Sequence, residues 1–154
     1  MLFSKKKQPN EAPAPAAFDV VYALEGRRGE RSAQATDLSA GGLRLCCDED
    51  LIAGCTISLD FTLPDEFLST MTVDSYIHED TPLGSARQRV QIRPPAFAPV
   101  SVRAKVLTNF FDRTTGAFAH GVAFLEVDRH TTEELERFIG LWQRAYGNGR
   151  GTAD

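Results

Sequence analysis

Ile57, Leu59, Phe61 and Leu63 occupy every second position until Pro64 ends the run, and this spacing constrains the fold more than any other feature of the chain. Successive side chains on a strand point to opposite faces, so a period of two buries one face and leaves the other to solvent. The same alternation opens at residues 17–24, where Phe18, Val20, Tyr22 and Leu24 share a face. It returns at Leu43 and Leu45, and again at Val100, Val102, Ala104, Val106 and then Phe110. Phe118, Val122 and the stretch from Phe124 to Val127 supply a last long strand. Turn chemistry separates these runs. Gly26 and Gly29 lie in the Glu25–Glu30 segment, so residues 17–24 and a second strand at 31–37 predict an antiparallel hairpin. Asp37 to Gly42 reverses the chain, because short polar side chains fold back onto backbone N–H groups and paired glycines permit a sharp turn. Many short strands joined by such turns predict a barrel or sandwich.

The C-terminal region changes period. Leu135, Phe138, Ile139, Trp142 and Tyr146 recur on one helical face, with Glu133, Glu136, Arg137 and Arg144 elsewhere. Thr131 with Glu134 three residues on reads as a capping box and Gly147 as a stop, so a helix is predicted over 132–146. The fold class is therefore all-β with one C-terminal helix. A chain of 154 residues holds one such domain, spanning 17–147, between a polar, proline-rich tail at 1–16 and a short tail at 148–154, both expected to be disordered. Residues 65–99 form an unusually long connection for a compact barrel. Within it Met71, Val73 and Ser75 alternate with polar residues, as do Val90 and Ile92, which predicts an extra hairpin through Pro82–Gly84.

Composition removes several functional classes. Seventeen Lys and Arg against 21 Asp and Glu leave a net charge of −4, so no global positive field attracts nucleic acid or anionic lipid and any anion site is local. No apolar run is long enough for a membrane span, and no apolar segment of the signal-peptide kind follows Lys5 to Lys7. Cys46, Cys47 and Cys55 are an odd count and read as reduced thiols, which points to the cytoplasm. His78, His120 and His130 fall in no metal-ligand spacing, and His120 reads as a core or edge histidine because no nucleophile motif accompanies it. Nothing in the sequence suggests an enzyme.

The stretch Asp37-Leu38-Ser39-Ala40-Gly41-Gly42-Leu43-Arg44-Leu45 resembles the D/N-x-S-x-x-G signature of the PilZ family, bacterial receptor domains for cyclic di-GMP. The order of phrases agrees with that family: a hairpin before the signature, Gly54 to Pro64, Ala104 to Val106, His120 to Phe124, and then the helix. The resemblance covers roughly residues 17–146 apart from the long connection. It implies a six-stranded barrel with an added helix, a role in regulation, cyclic di-GMP as ligand and a protein partner for output. A nucleotide-independent adaptor of the same fold, serving motility, pili or flagella, is the alternative it leaves open.

The chemistry of the segment stands beside the resemblance. A dinucleotide with two guanines and two phosphates calls for carboxylates or hydroxyls at guanine edges, close backbone approach at glycine, and arginines for phosphate and purine faces. Asp37 accepts from guanine N–H groups, Ser39 donates or accepts, and Gly42 removes a Cβ where the ligand would lie. The same residues also make a tight turn held by its own hydrogen bonds, and both roles stay open. Arg44 and the cluster Arg87, Arg89 and Arg93 are accessory basic groups, the cluster serving equally well as a solvated strand face. The family's R-x-x-x-R segment before the first strand is replaced here by Pro13-Ala14-Pro15-Ala16. Arg27 and Arg31 repeat that spacing, but the six residues from Arg31 to Asp37 at about 3.3 Å each put the two sites roughly 20 Å apart, so Arg27, Arg28 and Arg31 read as a solvated hairpin tip. Weakened binding follows.

Overall fold

The computed structural model describes residues 17–147; the tails expected at 1–16 and 148–154, with Lys5 to Lys7, lie outside the described residues. Nine strands and one long helix follow in order. They are β1 (Phe18–Leu24), β2 (Arg31–Ser39), β3 (Gly42–Cys47), β4 (Thr56–Phe61), β5 (Val73–Thr81), β6 (Gly84–Ile92), β7 (Val100–Val106), β8 (Phe110–Asp112), β9 (Ala117–Leu125) and α1 (Arg129–Trp142). Six of them close an antiparallel barrel in the order β3-β2-β1-β4-β7-β9, with β3 pairing back onto β9 and β8 added beside β9. Closure leaves none of the six with an open edge along its paired length, which is how an all-β domain avoids pairing with its neighbours.

The inward set is the alternating one. Val20 and Tyr22, Ala33 and Ala35, Leu45 and Cys47, Ile57 and Leu59, and Val102, Ala104 and Val106 are all buried, joined by Val122 and by the imidazole of His120. Two expected strands end early. The run expected from Val100 to Phe110 stops at Val106 because Leu107 N and Thr108 N both turn to Gly121 O, and Gly121 N donates to Thr108 Oγ1. Parity is lost in that irregular step, and Phe110 emerges on β8 at 65% exposure instead of continuing the core. The last strand stops at Leu125, not Val127, because Glu126 adopts a left-handed φ of 50°.

The helix begins three residues before the expected start. Asp128 is its N-cap, with the carboxylate accepting from Thr131 N at 2.7 Å. Thr131 therefore lies inside the first turn, and Glu134 accepts from Ala98 N and pairs with Arg137 instead of closing a capping box. After Trp142 the chain makes one wider π-type turn, Gln143–Gly147. Leu135, Phe138 and Leu141 are the buried positions, so Leu141 joins the face read from the sequence, while Trp142 is half-buried and Tyr146 exposed. Phe138 meets the edge of Phe97 at 5.1 Å, and the helix lies against β2. Replacing the cap, Asp128→Ala, is expected to destabilise the start of the helix and lower the melting temperature. Thermal melting of the variant reads that loss, and an unchanged midpoint would contradict the cap.

Residues Asp65–Ala96 form a second compact unit. It holds a short 3₁₀ turn at Glu66–Thr70 and a two-stranded ribbon in which β5 and β6 pair over nine positions, from Val73 with Ile92 to Thr81 with Gly84. The hairpin read from the sequence is this ribbon. Pro82 and Leu83 make its turn, and Gly84 supplies the positive φ of 128°. Among the described residues no helix is long and apolar enough to cross a membrane.

Candidate functional site

The segment from Asp37 to Arg44 is shaped by an irregularity near the end of β2. Its pairing with β3 shifts register between Thr36 and Ser39, and Asp37 takes a left-handed φ of 52°. Aspartate tolerates that region better than most residues. The strand still runs on to Ser39, past the expected end at Asp37. The kink brings the Asp37 carboxylate to 3.3 Å from Arg44 Nε, and both side chains are about half exposed, at 51% and 55%. Ser39 Oγ donates to Gly42 O at 3.2 Å and accepts from Gly41 N at 3.3 Å, while Phe124 N donates to Gly41 O and ties the turn to β9.

Gly42 faces inward. A Cβ there would stand 2.1 Å from Val122 O, so this glycine lets β3 approach β9 closely enough to close the barrel. Of the residues read as a site, Asp37, Ser39 and Arg44 are thus gathered at one turn, and Gly42 has a packing reason of its own. Arg87 and Arg89 lie on β6 and Arg93 just after it, in the second unit, all exposed. Arg87 stacks on the Tyr76 ring at 4.2 Å and Arg89 stands 3.9 Å from Asp74.

A second polar cluster surrounds Glu49. Its carboxylate accepts from Tyr22 OH at 2.5 Å and from both terminal nitrogens of Arg27 at 2.5 and 3.1 Å, with Arg31 Nε at 3.8 Å. The hydrogen bonds from Arg27, reinforced by that from Tyr22, hold the Glu49 carboxyl down at about 2. Burial, followed by the carboxylate beside it, pushes the Tyr22 phenol far above its usual range. The backbone of the same loop is anchored too. His120 Nε2 lies 2.9 Å from Glu49 O, its Nδ1 lies 3.3 Å from Thr108 O, and Cys47 Sγ donates to Glu49 O. Burial raises the Cys47 thiol above its ordinary value.

Arg27 is therefore no solvated tip. Its side chain is 33% exposed and committed to a carboxylate 22 positions away, whereas Arg31 is more than half exposed. The sequence reading missed Glu49, since one acid in the Asp48-Glu49-Asp50 run carries no periodicity or motif that would single it out. Of the core and edge settings left open for His120, the structure has the core one. Phe18 pairs with Ala35 and Tyr22 with Arg31, so the Arg31 end of the hairpin is remote from Asp37, while the start of β1 lies near it. No protein-family model matches the sequence, and no curated protein matches it.

Proposed function

We propose that the chain is a non-enzymatic, cytoplasmic regulatory module of the PilZ type that takes cyclic di-GMP weakly at the turn between β2 and β3 and passes the signal to a protein partner. The observation that carries this reading is the pair Asp37 and Arg44, side by side and half exposed at the kinked turn of a closed six-stranded barrel. A carboxylate suits the N1–H and N2–H edge of guanine, and the planar guanidinium beside it suits a phosphate or the face of a purine. Surface ion pairs are worth about 0–1 kcal/mol, so parting Asp37 from Arg44 to admit a ligand costs little. Ser39 supports the turn through its bonds to Gly41 and Gly42.

Affinity follows from the arginines that residues 13–16 lack. Two charge-assisted contacts at about 1.5–3 kcal/mol each amount to two to four decades in Kd. A micromolar receptor would fall to about 0.1 mM or weaker. Calorimetric titration of the full chain with cyclic di-GMP is expected to give binding in that range, weakened at least about tenfold by Asp37→Ala. Submicromolar affinity would mean that another basic group completes the site. No heat at millimolar ligand would sink the receptor reading in favour of the adaptor that acts by protein contact alone. The observation favouring the adaptor is apolar exposure on the second unit, with Ile77 and Ile92 on one face of the ribbon and the fully exposed Leu83 at its turn.

A further inference from the structure

The ribbon of β5 and β6 divides its charge between its two edges. β5 carries Asp74, Glu79 and Asp80; β6 carries Arg87 and Arg89, and Arg93 follows it directly. Nine consecutive pairs run without a register shift, so the ribbon extends over about 30 Å with no bulge. Neither strand contains proline or lysine, two of the usual devices that blunt an edge. Among the described residues the two strands pair only with each other. The outer edge of each therefore presents unpaired N–H and C=O groups to a further strand, and a two-stranded ribbon gains stability by acquiring one.

At full overlap, charge disfavours pairing either strand with its own kind. If β5 met β5 of a second copy antiparallel about Ile77, Asp74 would face Asp80 twice; β6 on β6 about Gln88 would set Arg87 against Arg89 twice. Like charges directly opposite are destabilising. We propose that β5 of one chain pairs antiparallel with β6 of a second copy, through the edges that carry opposite charge. The register that sets Asp80 opposite Arg87 also sets Asp74 opposite Arg93 on the same face, and on the other face sets Ile77 against Val90. Tyr76 beneath Arg87, and Asp74 beside Arg89, already hold the basic side chains over that polar face. The contact is heterologous, leaving one acidic and one basic edge free at the ends, so assembly grows with concentration instead of stopping at a dimer.

Sedimentation velocity on the full chain between about 1 µM and about 1 mM reads the mass directly, and a mass rising through and beyond the dimer is expected. Asp80→Arg and Arg87→Asp each place like charges at the contact and are expected to remain monomeric, with unchanged circular dichroism. A 1:1 mixture of the two variants restores opposite charge at every edge, as does the double variant D80R/R87D, and both are expected to assemble again. Raised salt should weaken all of these assemblies, since the charges are exposed. A wild-type chain monomeric at the highest concentration, a single variant assembling like wild type, or a mixture and double variant that both stay monomeric would each overturn the pairing. Neither outcome depends on cyclic di-GMP.

Discussion

Gly42→Ala is expected to destabilise the barrel by about 3 kcal/mol or more, at the upper end of what overpacking costs. The methyl group would be driven to 2.1 Å from Val122 O, with Val122 C and Ala123 Cα at 3.2 and 3.3 Å. All three are backbone atoms of a paired strand, so no side chain can swing aside, and relief requires β3 and β9 to part where they close the barrel. Gly41 provides the control, because a Cβ there meets nothing within 4 Å and Gly41→Ala should cost only a few tenths of a kcal/mol. The urea midpoint of each variant, measured without ligand, separates two roles for Gly42. A glycine that only made room for a nucleotide would leave ligand-free stability untouched, so a wild-type midpoint for Gly42→Ala would contradict the packing role.

The barrel was legible because its core is written at period two. Ile57 and Leu59 on β4 and Val102, Ala104 and Val106 on β7 are buried as the alternation required, and the ribbon in the long connection showed the same period in Val73 and Ser75 and in Val90 and Ile92. Breaks in that period were not legible. Nothing in the letters Leu107-Thr108-Asn109 announces that two successive N–H groups share the carbonyl of Gly121, a residue more than ten positions on, yet that sharing turns Phe110 out of the core. The helix start failed for a related reason. Thr131 and Asp128 are both competent caps by residue type; in the structure the Asp128 carboxylate takes Thr131 N, and Glu134 is engaged by Ala98 N and Arg137.

Legibility of the candidate site divides along the same line. Asp37, Ser39 and Gly42 stood out because they are close in sequence and their types make turns, and the structure does bring Asp37 beside Arg44. What local spacing could not reveal was the left-handed Asp37, the approach of β9 to Gly42, or the carboxylate that claims Arg27. Each depends on a partner from another strand or loop. A spacing such as Arg27 to Arg31 therefore identifies a residue type at an interval without identifying what the side chains touch.

The claim on Arg27 yields the second large effect. Glu49→Gln keeps the shape of the side chain and an oxygen for Tyr22 OH but removes the charge facing Arg27, whose Nε is already buried with no hydrogen-bond partner among the described residues. Hydrogen bonds to charged groups contribute about 1.5–3 kcal/mol, and leaving a cation partly desolvated adds to the loss, so about 2–4 kcal/mol is expected at pH 7. Acidification should erase the difference. In the folded chain the Glu49 carboxyl stays ionised down to about 2, whereas in the unfolded chain it takes up a proton at its ordinary value of 4.5. Its contribution is thus complete above about pH 5 and falls as pH drops from there toward 2. Asp128 and Glu134 are also held below their ordinary values by hydrogen bonds, from Thr131 and Arg137 respectively, so wild type and variant both lose stability in acid. Only the gap between the two proteins reports on Glu49. Urea midpoints at pH 7 and pH 3 should show that gap narrowing at the lower pH, and a gap of equal size at both would mean that the Glu49 charge does not hold Arg27 in place.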